Sequence, residues 1–285
     1  MLYESYPWAV PARARTTSCI AALAVLSLSV VSAQAATINL DFGNNTAYVG
    51  DLTPANAAGA VTGSQVFTAV TPDNVSPNNQ ASGYGLDVGD GVIVTTARNG
   101  NNSTDQALFR PDRTGDTVTG AGAGVFGTAL TNDAIQSLNN ATAPRAPLGV
   151  QVAGLANGEY TAFIAASYGG NVADAQRIFT GVGAEIVTFG NNNAAEHTLD
   201  TSQLSLLGSV SGAVSASWID GDNYLSTTFT ITDENSSFFI LVDDPTVGSS
   251  TAQATISSLQ IVPEPASLAL LGMGGLCLLG RRRKA

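Results

Sequence analysis

The chain has 285 residues and a net charge of −11, from 22 acidic and 11 basic residues. Because so acidic a chain repels a phosphate backbone, this charge argues against nucleic acid as a partner. Residues 36–262 contain no cysteine and one histidine, too few for the common zinc and copper ligand sets.

The first 35 residues have the three parts of a secretory signal peptide. Arg13 and Arg15 supply the positive region, and residues 19–31 form an apolar stretch rich in Ala, Leu and Val. Ala33 and Ala35 then form an A-x-A cleavage site. We therefore expect residues 1–35 to form an N-terminal signal helix that engages the export machinery, with cleavage by signal peptidase after Ala35.

Residues 36–262 are expected to fold as a single domain without disulfides, since both cysteines lie outside this segment. The segment holds 20 acidic residues, which are the chain's 22 less Glu4 and Glu264, and five arginines, for a net charge of about −15. A segment of this length can bury enough apolar surface to be stable. Its charge disfavours direct contact with an anionic polysaccharide unless a divalent cation bridges the two.

Short runs of alternating apolar and polar residues recur along this segment, separated by Asn-Gly, Asp-Gly and Gly-rich turns. We predict strands over residues 38–42, 92–94, 160–166, 177–182, 184–189, 210–218, 224–231, 238–242 and 254–261. Only residues 132–138 resemble a short helix, with Asn132 as the cap. Strands at this spacing predict an all-β fold, an antiparallel β-sandwich of jelly-roll-like form.

The turn at residues 220–223, Asp-Gly-Asp-Asn, is a candidate metal site. Oxygen-rich loops of this kind supply Ca²⁺ ligands, here Asp220 and Asp222. The alternative is an ordinary solvated hairpin turn. We expect no other cofactor.

Two aromatic residues flank the same turn. Trp218, the sole tryptophan of the segment, and Tyr224 are candidates for glycan contact, because aromatic rings stack on the apolar faces of sugars. The alternative is that both rings pack in the core. The exposure of the two rings decides between these interpretations.

No catalytic residue is predicted. His197 is the only histidine, and the chain has neither a G-x-S-x-G elbow nor an H-E-x-x-H helix. Pairs of carboxylates suited to glycoside cleavage will occur by chance among so many acidic turns, and the sequence selects none of them.

The C-terminal segment 263–285 has three parts in order: Pro263-Glu264-Pro265, the apolar stretch 266–280, and the cations Arg281, Arg282, Arg283 and Lys284. The apolar stretch has 15 residues, fewer than the roughly 20 of a comfortable membrane span. This predicts a short transmembrane helix that is held only transiently and then removed, with its basic end on the cytoplasmic side. The alternative is a permanent anchor helix.

This arrangement resembles the PEP-CTERM sorting signal of Gram-negative bacteria. The resemblance implies that an exosortase processes the chain near Pro263-Glu264-Pro265, in an organism that makes exopolysaccharide.

Residues 149–261 are similar to the jelly-roll domains of the galactose-binding-like group. The similarity rests on the turn of residues 152–160, Val-Ala-Gly-Leu-Ala-Asn-Gly-Glu-Tyr, which enters an apolar strand, on the strand 238–242, and on the closing strand 256–261, Ile-Ser-Ser-Leu-Gln-Ile. It implies a carbohydrate-binding ancestry, although a fold alone does not assign a function.

Taken together, these features predict an exported, non-enzymatic protein of the cell surface or extracellular matrix that associates with exopolysaccharide in biofilm. One alternative is a carbohydrate-binding module that recognises a defined glycan near Trp218. A second alternative is an extracellular hydrolase that acts on glycans.

Overall fold

The computed structural model describes residues 35–43, 48–70, 85–98, 110–111, 125, 130–131, 134–136, 148–166, 175–183, 187–188, 198–199, 201–210, 215–233, 236–243 and 254–264. Residues 36–264 form one compact unit. The predicted signal helix and the predicted C-terminal transmembrane helix lie outside the described residues. Within the described ranges, no helix is long and apolar enough to cross a membrane.

The described part of the chain is mostly strand, with almost no helix. In chain order the elements are β1 (Ile38–Phe42), β2 (Val49–Gly50), α1 (Pro54–Ala57), β3 (Gln65–Val66), β4 (Thr68–Val70), β5 (Leu86–Asp87), β6 (Ile93–Arg98), β7 (Arg110–Pro111), β8 (Ile135–Gln136), β9 (Leu148–Ala153), β10 (Gly158–Ala165), β11 (Gln176–Gly183), β12 (Val187–Thr188), β13 (Thr198–Leu199), a 3₁₀ turn (Thr201–Gln203), β14 (Ser205–Val210), β15 (Leu225–Ile231), β16 (Ser237–Asp243), β17 (Thr255–Ile256) and β18 (Ser258–Pro263).

Two large sheets form most of the described part of the domain, and three smaller sheets of two or three strands accompany them. One large sheet has the strand order β15-β10-β18-β1-β4 and the other β14-β11-β16-β9-β6-β5. Neighbouring strands run antiparallel in both sheets, except that β1 and β4 run parallel. The predicted all-β, antiparallel class is therefore confirmed, while the jelly-roll relationship stays a prediction.

Stacked aromatic rings join the two sheets. Phe229 of β15 lies against Phe238 of β16, with ring centroids 4.0 Å apart. Tyr160 of β10 stacks on the Phe229 ring at 5.5 Å. Burying one such side chain stabilises a fold by about 1.5–3 kcal/mol, so this column is a main contributor to the sandwich.

A second buried cluster lies on the opposite face of the first sheet. Successive side chains of a strand point to opposite faces, so Phe163 points away from the face of Tyr160. The cluster around Phe163 consists of Ala55, Phe67, Val125, Leu130, Phe163, Ala165, Trp218, Tyr224 and Val262. Because both faces of the sheet are covered, all six residues of β18 are buried.

The sequence misplaced several elements. Residues 135–136 form strand β8, which pairs with β7 and β17, whereas the sequence predicted a helix over 132–138. Ile135 is fully buried, and burial in a sheet outweighs a weak local preference for helix. The strand predicted over 210–218 is also wrong: β14 ends at Val210, and residues 215–219 carry no strand.

Candidate functional site

The first residue of the predicted sorting motif belongs to the folded domain. Pro263 is the last residue of β18 and lies opposite Tyr160 of β10. The backbone N–H of Glu264 donates to the carbonyl oxygen of Glu159 at 2.9 Å. Hydrogen bonds of this type flank a non-hydrogen-bonded pair, so the missing N–H of Pro263 removes no bond from the ladder with β10.

The side chain of Glu264 is also held by the sheet. Its carboxylate oxygen Oε1 accepts a hydrogen bond from the hydroxyl of Thr161. Glu264 is half-buried, and Thr161 lies on β10 opposite Val262. The domain predicted to end at residue 262 thus continues through Glu264, which is also where the compact unit ends.

The two ends of the domain lie side by side. Ile38 at the start of β1 pairs with Ile261 near the end of β18, and the two strands are antiparallel. Ala35, the predicted last residue of the signal peptide, comes three residues before β1. Pro265, Ala33 and Arg281–Arg283 lie outside the described residues, and cleavage after Ala35 stays a prediction.

The two candidate glycan-contact residues are buried. Trp218 is 6% exposed and Tyr224 is 4% exposed. Their rings meet edge to face, with centroids 6.1 Å apart, and the indole Nε1–H of Trp218 donates to the carbonyl oxygen of Leu52 at 3.1 Å. Both rings belong to the buried cluster on the outer face of the first sheet, where the centroid of the Tyr224 ring lies 6.1 Å from that of Phe163.

This burial corrects the interpretation of Trp218 and Tyr224 as a glycan-stacking pair. Stacking on a sugar requires an open ring face, and neither residue offers one. The phenol of Tyr224 is accordingly hard to ionise: burial raises its pKa above the ordinary value, and the nearby charge of Asp220 raises it further. The alternative assignment to the core accounts for the observed contacts.

The acidic turn is braced by its own hydrogen bonds. The Asp220 carboxylate accepts from the backbone N–H of Ser226 at 3.1 Å and from the Ser226 hydroxyl. Gly221 has φ of +84°, a left-handed conformation that glycine adopts without a steric penalty. The carboxylate of Asp220 therefore already acts as a structural acceptor.

Asn223, which the sequence did not single out, organises this turn. It is fully buried; its Oδ1 accepts from the N–H of Ile219 at 2.8 Å, and its Nδ2 donates to the carbonyl oxygen of Ser217 at 2.9 Å. These bonds fix the segment that carries Trp218 into the core. The one sequence signal for Asn223 is its place in the Asp-Gly-Asp-Asn turn. That composition indicates an acidic loop and does not mark the asparagine as the residue that holds the turn together.

The Ca²⁺ site stays a prediction. Across the described ranges, no group of three or more His, Cys, Asp or Glu side chains is arranged to hold a metal ion. Asp220 and Asp222 supply two carboxylates of the turn, and Ca²⁺ takes six to eight oxygens in most proteins.

Comparison with known proteins identifies the C-terminal motif. Residues 262–284 match the PEP-CTERM protein-sorting motif. No curated protein matches the chain. The chain thus carries a PEP-CTERM motif, which makes it an exported protein targeted to an exosortase for processing, with a surface or extracellular destination.

Proposed function

We propose that this exported, PEP-CTERM-bearing protein is a non-enzymatic component of the cell surface or extracellular matrix, where it associates with exopolysaccharide. The observation that supports the proposal is the sorting motif at residues 262–284, because it directs the folded domain to the cell surface or the outside of the cell, where it would meet an exopolysaccharide.

The packing of Trp218 and Tyr224 favours a matrix role over recognition of one defined glycan. The only aromatic pair that the sequence offered for a single glycan site is part of the core. Edge strand β15 instead exposes the hydroxyl groups of Thr228 and Thr230. Hydroxyl groups both donate and accept hydrogen bonds, so such a surface supports many weak contacts with sugar hydroxyls.

The charge of the domain sets the expected dependence on cations. With about −15 on residues 36–262, the domain is repelled by an anionic polymer at low ionic strength. A divalent cation that bridges carboxylates on both partners removes this repulsion. A neutral polysaccharide needs no such bridge.

The test is co-sedimentation of the purified mature protein with exopolysaccharide from the producing organism, in Ca²⁺ and in a chelator, with Trp218 fluorescence recorded in parallel. We expect retention that grows with polymer concentration and a fluorescence spectrum that does not change, since Trp218 is buried. No retention in either buffer would refute the association.

The other two function classes give distinct results in the same experiment. A saturable fluorescence change at a fixed ratio of glycan to protein would indicate a carbohydrate-binding module with a defined site. Release of reducing ends from the polymer would indicate a hydrolase. Either result would replace the proposal.

A further inference from the structure

The sorting motif serves two purposes in this chain. Pro263 and Glu264 belong to the motif that the exosortase recognises, and they also complete the central strand of a sheet. The N–H of Glu264 donates to the carbonyl oxygen of Glu159, and the Glu264 carboxylate accepts from the hydroxyl of Thr161. We call these two hydrogen bonds and the pairing of Pro263 with Tyr160 the motif clasp.

The clasp leaves little free chain for a processing enzyme. Pro265 alone separates Glu264 from the apolar stretch that begins at Ala266. One residue of extended chain spans only about 3.3–3.6 Å. An enzyme that acts on a segment of several residues must enclose the backbone, and the backbone at Pro263 and Glu264 is already paired with β10.

From these contacts we infer that the motif clasp competes with the exosortase for Pro263 and Glu264, so that processing follows detachment of the end of β18 from β10. Thr161 is then a positioning residue for processing: it acts through Glu264 and lies outside the motif. The inference needs the exosortase premise and is independent of any association with exopolysaccharide.

Detachment of the strand end is a local event. The ends of strands open at a much smaller free-energy cost than the whole domain, because few contacts are broken. Only the bonds of Glu264 and the burial of Pro263 are lost, while the pairs from Val262 back to Ser258 stay in place. A partner that binds only the open form draws the equilibrium toward it in proportion to its concentration and affinity.

The test compares the rates at which full-length variants are processed in the producing organism, by pulse-chase and separation of precursor from mature protein. Thr161→Val removes the hydroxyl that holds Glu264 and keeps the shape and strand preference of the side chain. We expect processing to accelerate about three- to tenfold, the effect of losing one hydrogen bond on an opening equilibrium.

The chain offers a matched control. Thr228 lies directly opposite Thr161 on the other neighbour of β10 and is exposed. Thr228→Val makes the same chemical change in the same row of the sheet without touching the motif, and it should be processed at the wild-type rate. An unchanged or slower rate for Thr161→Val would overturn the clasp.

A variant with an inserted linker distinguishes release of the motif from general destabilisation of the domain. Gly-Ser-Gly-Ser placed between Val262 and Pro263 moves the intact motif away from β10, and this variant should be processed at least as fast as Thr161→Val. Adding Thr161→Val to the insertion should then change nothing. A further acceleration there would show that the substitution acts through stability and would overturn the clasp.

The exosortase premise has its own control. Replacement of Pro263-Glu264-Pro265 by alanines should leave the precursor unprocessed, both in the otherwise wild-type chain and in the chain that carries Thr161→Val. Mature protein from this variant would overturn the premise itself, and with it the inference, whereas the Thr161 and insertion results bear on the clasp alone.

Discussion

Because Trp218 is buried, its replacement by alanine should strongly destabilise the domain. Trp218→Ala in the domain of residues 36–264 should lower the free energy of unfolding by about 3–5 kcal/mol, the range measured for large-to-small substitutions of buried aromatic residues. A tryptophan on the surface would give a change within about 0.5 kcal/mol. The two locations therefore differ in a quantity that is easily measured.

The magnitude follows from the contacts of the side chain. An indole buries about 150–250 Å², which at about 25 cal/mol per Å² corresponds to about 4–6 kcal/mol, an upper estimate because an unfolded chain is partly compact. The hydrogen bond from Nε1 to the carbonyl oxygen of Leu52 contributes about 1 kcal/mol more. Trp218→Phe keeps most of the packing and loses this bond, so we expect about 1–2 kcal/mol.

The assay is urea denaturation followed by far-ultraviolet circular dichroism, because the substitution removes the only tryptophan of the domain. Thr228→Val, at an exposed position of β15, provides the control and should stay within about 0.5 kcal/mol of wild type. The slope of free energy against urea should be the same in all variants.

A small effect would refute the argument. If Trp218→Ala lowered the free energy of unfolding by less than about 1 kcal/mol, the indole could not be packed beside Tyr224 in the cluster around Phe163 as observed. Glycan stacking by Trp218 would then again be the better interpretation, and the proposed matrix role would lose one of its supports.

Two further predictions concern the turn and the tyrosines. Asn223→Ala should lower the free energy of unfolding by about 2–3 kcal/mol, because the fully buried side chain makes two hydrogen bonds within the turn; in urea denaturation, a loss below about 0.5 kcal/mol would show that the turn holds without them. Burial raises the pKa values of Tyr48, Tyr160 and Tyr224 above the ordinary 10.0, so the folded state holds these protons more tightly than the unfolded state. Stability should therefore be complete below pH about 10 and fall as the pH rises from there toward the folded pKa values. Thermal unfolding measured across this pH range should show a decline in stability, and this decline should be smaller in Tyr224→Phe. An equal decline in that variant would contradict the assignment of Tyr224 as a buried tyrosine with a raised pKa.

The alternation of apolar and polar residues was enough to predict the class of fold. Leu40, Ile164, Leu259 and Ile261 occupy the inner positions of strands as their spacing indicates, and all four are fully buried. Short strands without this alternation were missed or misplaced: β8 is only two residues long, and its pairing with β7 and β17 depends on chain segments far away in sequence. Such pairing leaves no local signal.

The candidate site shows the same division between local and tertiary information. The turn that contains Gly221 was predictable, because glycine and asparagine next to aspartate favour tight turns. Whether Trp218 beside that turn faces solvent or the sheet was not predictable, since it depends on α1 and on the carbonyl of Leu52, some 166 residues earlier. The sequence provided the two alternatives, and the tertiary contacts decided between them.

Because the sorting motif overlaps strand β18, the fold of the domain should affect its processing. Residue patterns present the sorting motif as a separate module that begins at Pro263, whereas the sheet uses Pro263 as the partner of Tyr160. The same end of the sheet carries Ile38, three residues after the predicted signal cleavage site, opposite Ile261. The predicted cleavage after Ala35 and the expected processing at the motif thus both lie next to paired strands, β1 and β18. Since β18 lies between β1 and β10, a variant that weakens the pairing of β1 should also loosen the end of β18 and expose the motif. If the clasp controls processing, such a variant should also be processed faster at the C-terminal motif, an effect that neither terminal signal predicts.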